Sequence, residues 1–116
     1  MTLAQMMEIT GAELLVPGVP LDKEISAGYS CDLLSWVMGR EQPGMAWITV
    51  QTHLNVIAVA ELIEAACVIL ADCSQVDSAM LQRARDDGFA LFASKHDAFT
   101  LGGMLYAAGL RTTERP

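Results

Sequence analysis

Apolar and polar residues recur along this chain with a period that switches between that of a helix and that of a strand. Thr2 precedes Leu3, Met6 and Met7, whose spacing puts them on one side of a short helix capped by the threonine hydroxyl. Ala12 to Val16 predicts a short strand, and "PGVPLD" after it a turn or loop, because two prolines and a glycine interrupt regular structure. Glu24 to Tyr29 alternates loosely and predicts a second strand. Asp32 then opens a helix with Leu33, Leu34, Trp36, Val37 and Met38 on its apolar side and Gly39 at its end, and "REQPG" is a loop.

The second half is more regular. Ala46 to Val50 is continuously apolar and β-branched, as befits a strand covered on both faces. Asn55 to Ala66 keeps the helical period through Val56, Val59, Ala60, Ile63 and Cys67, with Glu61 and Glu64 facing out. Cys67 to Ala71 is another buried strand. Asp77 caps a helix that Gly88 ends, with Gln82, Arg83, Arg85 and Asp86 on its polar face. Phe89 to Ala93 is a last strand, and Asp97 caps a final helix running to Ala108, with Gly109 as its stop and "RTTERP" (111–116) as a solvated tail. Strands and helices that alternate across short connections require parallel strands with right-handed helical crossovers. The predicted fold is therefore α/β: one domain over residues 1–116, with a mostly parallel sheet of about four or five strands and helices on its faces.

In a parallel sheet the strand-to-helix junctions share one edge, where ligands of open α/β sheets bind. Polar residues gather at these junctions: Ser30, Cys31 and Asp32; Gln51, Thr52, His53 and Asn55; Asp72, Cys73 and Ser74; and Ser94, Lys95, His96 and Asp97. Helix N-termini there also offer unpaired N–H groups that suit an anion. The candidate ligand-binding set is Ser30, Asp32, Gln51, Thr52, His53, Asn55, Asp72, Ser94, Lys95 and His96. The same residues have structural readings. Asp32, Asn55, Asp77 and Asp97 fit helix caps, with Asn55 or Thr52 capping the helix after the central strand. His53 and His96 fit junction histidines bonded to backbone, and Cys31 fits an inert small residue. The "QTHLN" junction itself is open between a ligand site, a polar knot that fixes the fold, and a subunit contact.

Composition narrows the function. The chain carries 7 basic and 14 acidic residues, and its only lysines are Lys23 and Lys95. Gripping a nucleic acid or an anionic membrane needs clustered Lys and Arg, and none are clustered here. Three cysteines without a CxxC pair, and an N-terminus without a basic region, predict reduced thiols and a cytoplasmic setting. The longest apolar stretch, Val56 to Ala71, is interrupted by Glu61 and Glu64 and is too charged to span a bilayer. No GxxxxGK[ST] or GxGxxG occurs, so phosphoryl transfer by this chain alone is not expected. No HxxxH, HxH or CxxC spacing marks a metal site, and no cofactor is read from the sequence.

At "AWITVQTHLNVIAVA", followed by an apolar strand and "DSAMLQRARDDGFALFAS", the chain resembles the DRTGG domain family. "SAGYSCDLLSWVM" and "GAELL" extend the resemblance over about Gly11 to Leu110. It implies a small α/β domain similar to the N-terminal domain of HPr kinase/phosphorylase. Such domains accompany phosphotransacetylases and nucleotide-regulated pyrophosphatases as accessory or regulatory modules. The name motif D-R-T-G-G is absent; "ADCSQVD" stands after the Cys67 strand, where glycine-rich sequence is common in the family.

The expected function is a non-catalytic regulatory or ligand-sensing domain that binds a nucleotide or another anionic metabolite at the edge carrying His53 and His96. The alternatives are a small enzyme using Cys31 with a histidine at that edge, and a purely structural interaction module. Hydrophobic residues make up 53 % of the chain, more than a small sheet should hide. That surplus predicts a homodimer, or a partner protein, on the apolar sides of the first and last helices: Leu3, Met6 and Met7, and Leu101, Met104, Leu105 and Tyr106. Gly102 and Gly103 are expected to permit close helix packing.

Overall fold

Five strands run side by side in the order β1-β5-β4-β3-β2, which orders the whole chain around one sheet. The computed structural model describes residues 1–40, 42–73 and 75–112. The elements are α1 (Leu3–Thr10), β1 (Glu13–Leu14), β2 (Ala27–Ser30), α2 (Leu34–Met38), β3 (Met45–Thr49), α3 (Leu54–Leu62), β4 (Cys67–Leu70), α4 (Ser78–Asp87), β5 (Leu91–Ala93) and α5 (Ala98–Ala107). β2, β3, β4 and β5 are parallel neighbours, and β1 lies antiparallel on β5.

Alternation along the strands divides the core into two layers. Ala46, Ile48, Cys67, Ile69 and Phe92 face α1 and α5, where Leu3, Met6, Leu101 and Leu105 cover them. Met45, Trp47, Val68, Leu70 and Leu91 face the other way, under Val37 of α2, Val56 and Ile57 of α3, and Met80 and Ala84 of α4. This double cover is why the strands read as unbroken apolar runs. It also moves Leu3, Met6, Leu101 and Leu105 out of the subunit contact expected from the sequence, because all four are buried within the chain.

Several boundaries differ from the sequence reading, each for a local reason. Asp32 does not cap α2: Leu33 holds the cap position without a side-chain bond, and the Asp32 carboxylate turns to β3 instead. Neither Asn55 nor Thr52 caps α3; His53 does, its Nδ1 accepting from the Asn55 N–H at 3.1 Å. α3 stops at Leu62, not Ala66, because Glu64 takes a left-handed φ of 56°. That turn lets Gly44 N–H reach the Glu64 carbonyl and Ala66 N–H the Met45 carbonyl. The caps of Thr2, Asp77 and Asp97 form as expected, Thr2 within a capping box with Gln5. Gly88 closes α4 at φ 64°, a conformation glycine adopts without strain.

The tail is not wholly solvated. Gly28 N–H donates to the Arg111 carbonyl at 2.8 Å, and Thr112 bridges to Gly28 in parallel sense. Arg111 and Thr112 thus lie along the open edge of β2, which would otherwise present unpaired backbone groups there. Thr113 to Pro116 lie outside the described residues, as does Ser74.

Candidate functional site

The chain changes face at one place only in the run of parallel strands. The helices that follow β2, β3 and β4 cover one side of the sheet, whereas α5, after β5, covers the other. The loops leaving β4 and β5 therefore diverge. A crevice opens outside the carboxyl ends of adjacent strands wherever this happens, and it is the favoured ligand position of such sheets. A cleft of about 370 Å³ lies there, lined by Cys73 and Val76 after β4, by Ala93, Ser94, Lys95 and His96 at the end of β5, and by Thr10, Gly11, Glu13 and Leu15 around β1.

Backbone pairing fixes the cleft floor. Cys73 N–H donates to the Ser94 carbonyl at 2.8 Å, and Asp72 N–H to the His96 carbonyl at 2.9 Å, so the ladder continues past the strand ends. Asp72 adopts φ 51° at this turn. Ser94 is buried, and its Oγ accepts from the His96 N–H at 3.0 Å, which folds the Ser94–His96 turn back on itself. Lys95 and His96 are left exposed at the rim. Asp97 caps α5, accepting from the Thr100 N–H at 2.7 Å, and this bond holds its carboxyl below the usual range. Burial raises the Cys73 thiol, so it meets the cleft as a neutral, weakly polar group.

The wall contributed by α1 and β1 has no counterpart in the junction list. Glu13 pairs with Ala93 across the antiparallel ladder and brings a carboxylate to the cleft. Gly11, at φ 71°, ends α1 and turns the chain into β1. The missed signal was the antiparallel placement of β1 beside β5. Its amino end, not its carboxyl end, meets the site.

The "QTHLN" junction forms a separate structure two strands away. The Thr49 hydroxyl, 1 % exposed, donates to Asp32 Oδ1 at 2.8 Å and accepts from the Gln51 N–H at 3.2 Å. Asp32 Oδ1 also accepts from the Val50 N–H at 3.0 Å, and Gln51 Nε2 donates to the Asp32 carbonyl. Trp47 Nε1 donates to the Cys31 carbonyl at 2.8 Å. These bonds tie the loop after β2 to the end of β3. Thr52 is half-buried on the connection, and Asn55 is exposed in the first turn of α3. Ser30 lies farther off, at the carboxyl end of edge strand β2, and lines depressions beside α5. Of the ten candidate residues, only Ser94, Lys95 and His96 share the cleft.

His53 and His96 lie in the loops after β3 and β5, strands that are two spacings or about 10 Å apart. β5 and β2, the strands that precede His96 and Cys31, are three spacings or about 14 Å apart. The Cys31 thiol donates to the Leu33 carbonyl at 3.7 Å. Because His53 Nδ1 accepts a backbone N–H, the neutral ring carries its proton on Nε2 and has no free lone pair for base catalysis. Burial pushes the Cys67 thiol up to about 12 and leaves it inert. Among the described residues no three His, Cys, Asp or Glu side chains gather as a metal site would require.

The cap assignment is testable. His53→Ala should lose about 1 kcal/mol of stability, whereas His53→Asp, a stronger cap type, should restore it. Urea denaturation would check this; an alanine variant as stable as the parent would remove the capping role.

No family model matches the chain, and no curated protein does. Among solved structures, the chain is similar to the crystal structure of the CBS and DRTGG domains of the regulatory region of the Clostridium perfringens pyrophosphatase, complexed with its activator diadenosine tetraphosphate. The TM-score is 0.69 at 11 % identity, covering 98 % of this chain and 50 % of that one. The chain thus spans half the length of that regulatory region. At this identity the likeness is one of fold, and the fold is consistent with the DRTGG domain that the sequence resembles. No helix among the described residues is long and apolar enough to cross a membrane.

Proposed function

We propose that the chain is a non-catalytic, cytoplasmic regulatory domain that senses a nucleotide or another anionic metabolite in the cleft between the β4 and β5 loops, and that it works as a homodimer or with a partner protein. The observation that carries this reading is the position of the cleft: it occupies the one switch point of the sheet and has Lys95 and His96 on its rim. A phosphate would be met by Lys95, His96 and the Ser94 hydroxyl, and a neutral polar portion of the ligand by Glu13. The activator bound in the similar regulatory region, a dinucleotide with four phosphates, belongs to this chemical class. The Asp32–Thr49–Gln51 network serves the fold in this reading, and His53 serves as a cap. A thermal-shift screen of nucleotides, dinucleoside polyphosphates and phosphorylated metabolites tests the proposal. The expected result is stabilisation by at least one phosphate-bearing compound, and a screen in which none raises the melting temperature at millimolar concentration would reject it.

A further inference from the structure

Helix α5 carries no charged residue from Ala98 to Ala107, in a chain of net charge −7, yet one side of it meets solvent. Phe99 is 90 % exposed and Tyr106 60 %. A helix apolar all round is ordinarily a buried helix. Gly102 and Gly103 sit between the two rings, and a Cβ placed on either would meet nothing within 4 Å. The glycines therefore do not serve packing within the chain, although glycine in a helix interior is unfavourable. They clear space on the outer face, and a shallow depression there is lined by Ser30, Phe99, Gly102, Gly103, Tyr106 and Ala107.

We infer that this face is the contact with a second copy of the chain, in which two α5 helices cross antiparallel over their glycines. The spacing is self-complementary. Phe99 stands three residues before Gly102 and Tyr106 three residues after Gly103, so a twofold axis between the glycines seats Phe99 of one protomer against Tyr106 of the partner subunit. Tyr106 is already held in place: the Arg111 guanidinium stacks 3.8 Å from its ring centroid, and Arg111 Nη1 donates to the Tyr106 carbonyl at 3.0 Å. Fixed aromatic and arginine groups are the usual anchors of interfaces. Four partly exposed rings bury roughly 600 Å². Ser30, Gly103 and Ala107 around them bring the total toward the roughly 1,000 Å² that a stable contact needs. The absence of charge matters too, since the approach of two strongly acidic protomers is opposed least where neither presents a carboxylate. The inference specifies the homodimer of the proposed function and is independent of what fills the cleft.

Light scattering and non-reducing electrophoresis on the full chain test it. The parent protein should show a concentration-dependent mass approaching twice 12.5 kDa. Phe99→Glu should stay at the monomer mass and melt as the parent does at dilutions where the parent is monomeric, because the ring touches little of its own chain. Gly103→Cys should cross-link to itself under mild oxidation, whereas a control cysteine at Gln82, on the exposed face of α4, should not. A parent protein that remains monomeric at millimolar concentration would overturn the homodimer altogether. A parent dimer that persists in Phe99→Glu, or that leaves Gly103→Cys uncrosslinked, would place the contact on another face.

Discussion

Trp47→Ala is expected to cost about 3–5 kcal/mol, a large share of the stability of a domain this size. Trp47 is 0 % exposed in β3, between β2 and β4, packed in the layer beneath α2, α3 and α4. Removing it leaves a void that the rigid parallel sheet cannot close, so the penalty exceeds simple transfer of the lost atoms to water. The indole has a second role, because its N–H satisfies the Cys31 carbonyl at 2.8 Å and so anchors the loop after β2. Trp47→Phe separates the two contributions. It keeps most of the ring volume and loses the hydrogen bond, with an expected cost of about 1–2 kcal/mol. Urea midpoints would measure both. If Trp47→Ala cost less than about 1 kcal/mol, far below the usual range for such truncations, the two-layer core would be misassigned.

The second large effect concerns the cleft. A ligand present at about one hundred times its Kd adds roughly 2.7 kcal/mol to the unfolding free energy. For a domain of this length that corresponds to a rise of about 10 °C in melting temperature. An anion must be held against the field of a chain with net charge −7, so its binding depends on short-range contacts near the cleft rim. Lys95 is the only lysine there. A hydrogen bond to a charged group contributes about 1.5–3 kcal/mol. Lys95→Glu should therefore weaken binding at least tenfold and abolish most of the thermal shift, and added salt should weaken the parent complex too. Lys95 is exposed, so the variant should fold as the parent does. A phosphate-bearing ligand that stabilised Lys95→Glu as much as the parent would exclude Lys95 from its site.

Much of the fold was legible because the strands are covered on both faces. Met45–Thr49 and Cys67–Leu70 admit no polar side chain except Thr49, and Asp77 and Asp97 cap helices in the ordinary way. What was not legible depended on contacts distant in sequence. Asp32 looks like a cap by position, but Thr49 and Val50 from the neighbouring strand capture its carboxylate. The apolar residues of α1 and α5 looked like a surplus because nothing in the sequence reveals that these helices share one face of the sheet. The site divided for the same reason. The strand-end rule located every junction, but the strand order and the face taken by α5 decide that β4 and β5 flank the crevice while His53 and Asp32 lie outside it. Glu13 and Thr10 escaped notice because β1 reaches the site antiparallel, at its amino end.

The cleft assignment is tested most directly by two-dimensional amide NMR of the isotope-labelled chain during titration with diadenosine tetraphosphate, followed by any stronger compound from the screen. The largest shift changes are expected at Thr10, Gly11 and Glu13, at Cys73 and Val76, and at Ser94, Lys95 and His96, saturating together at one stoichiometry. Saturable changes centred instead on Asp32 and Gln51 to Asn55, with the β4 and β5 loops unmoved, would contradict it.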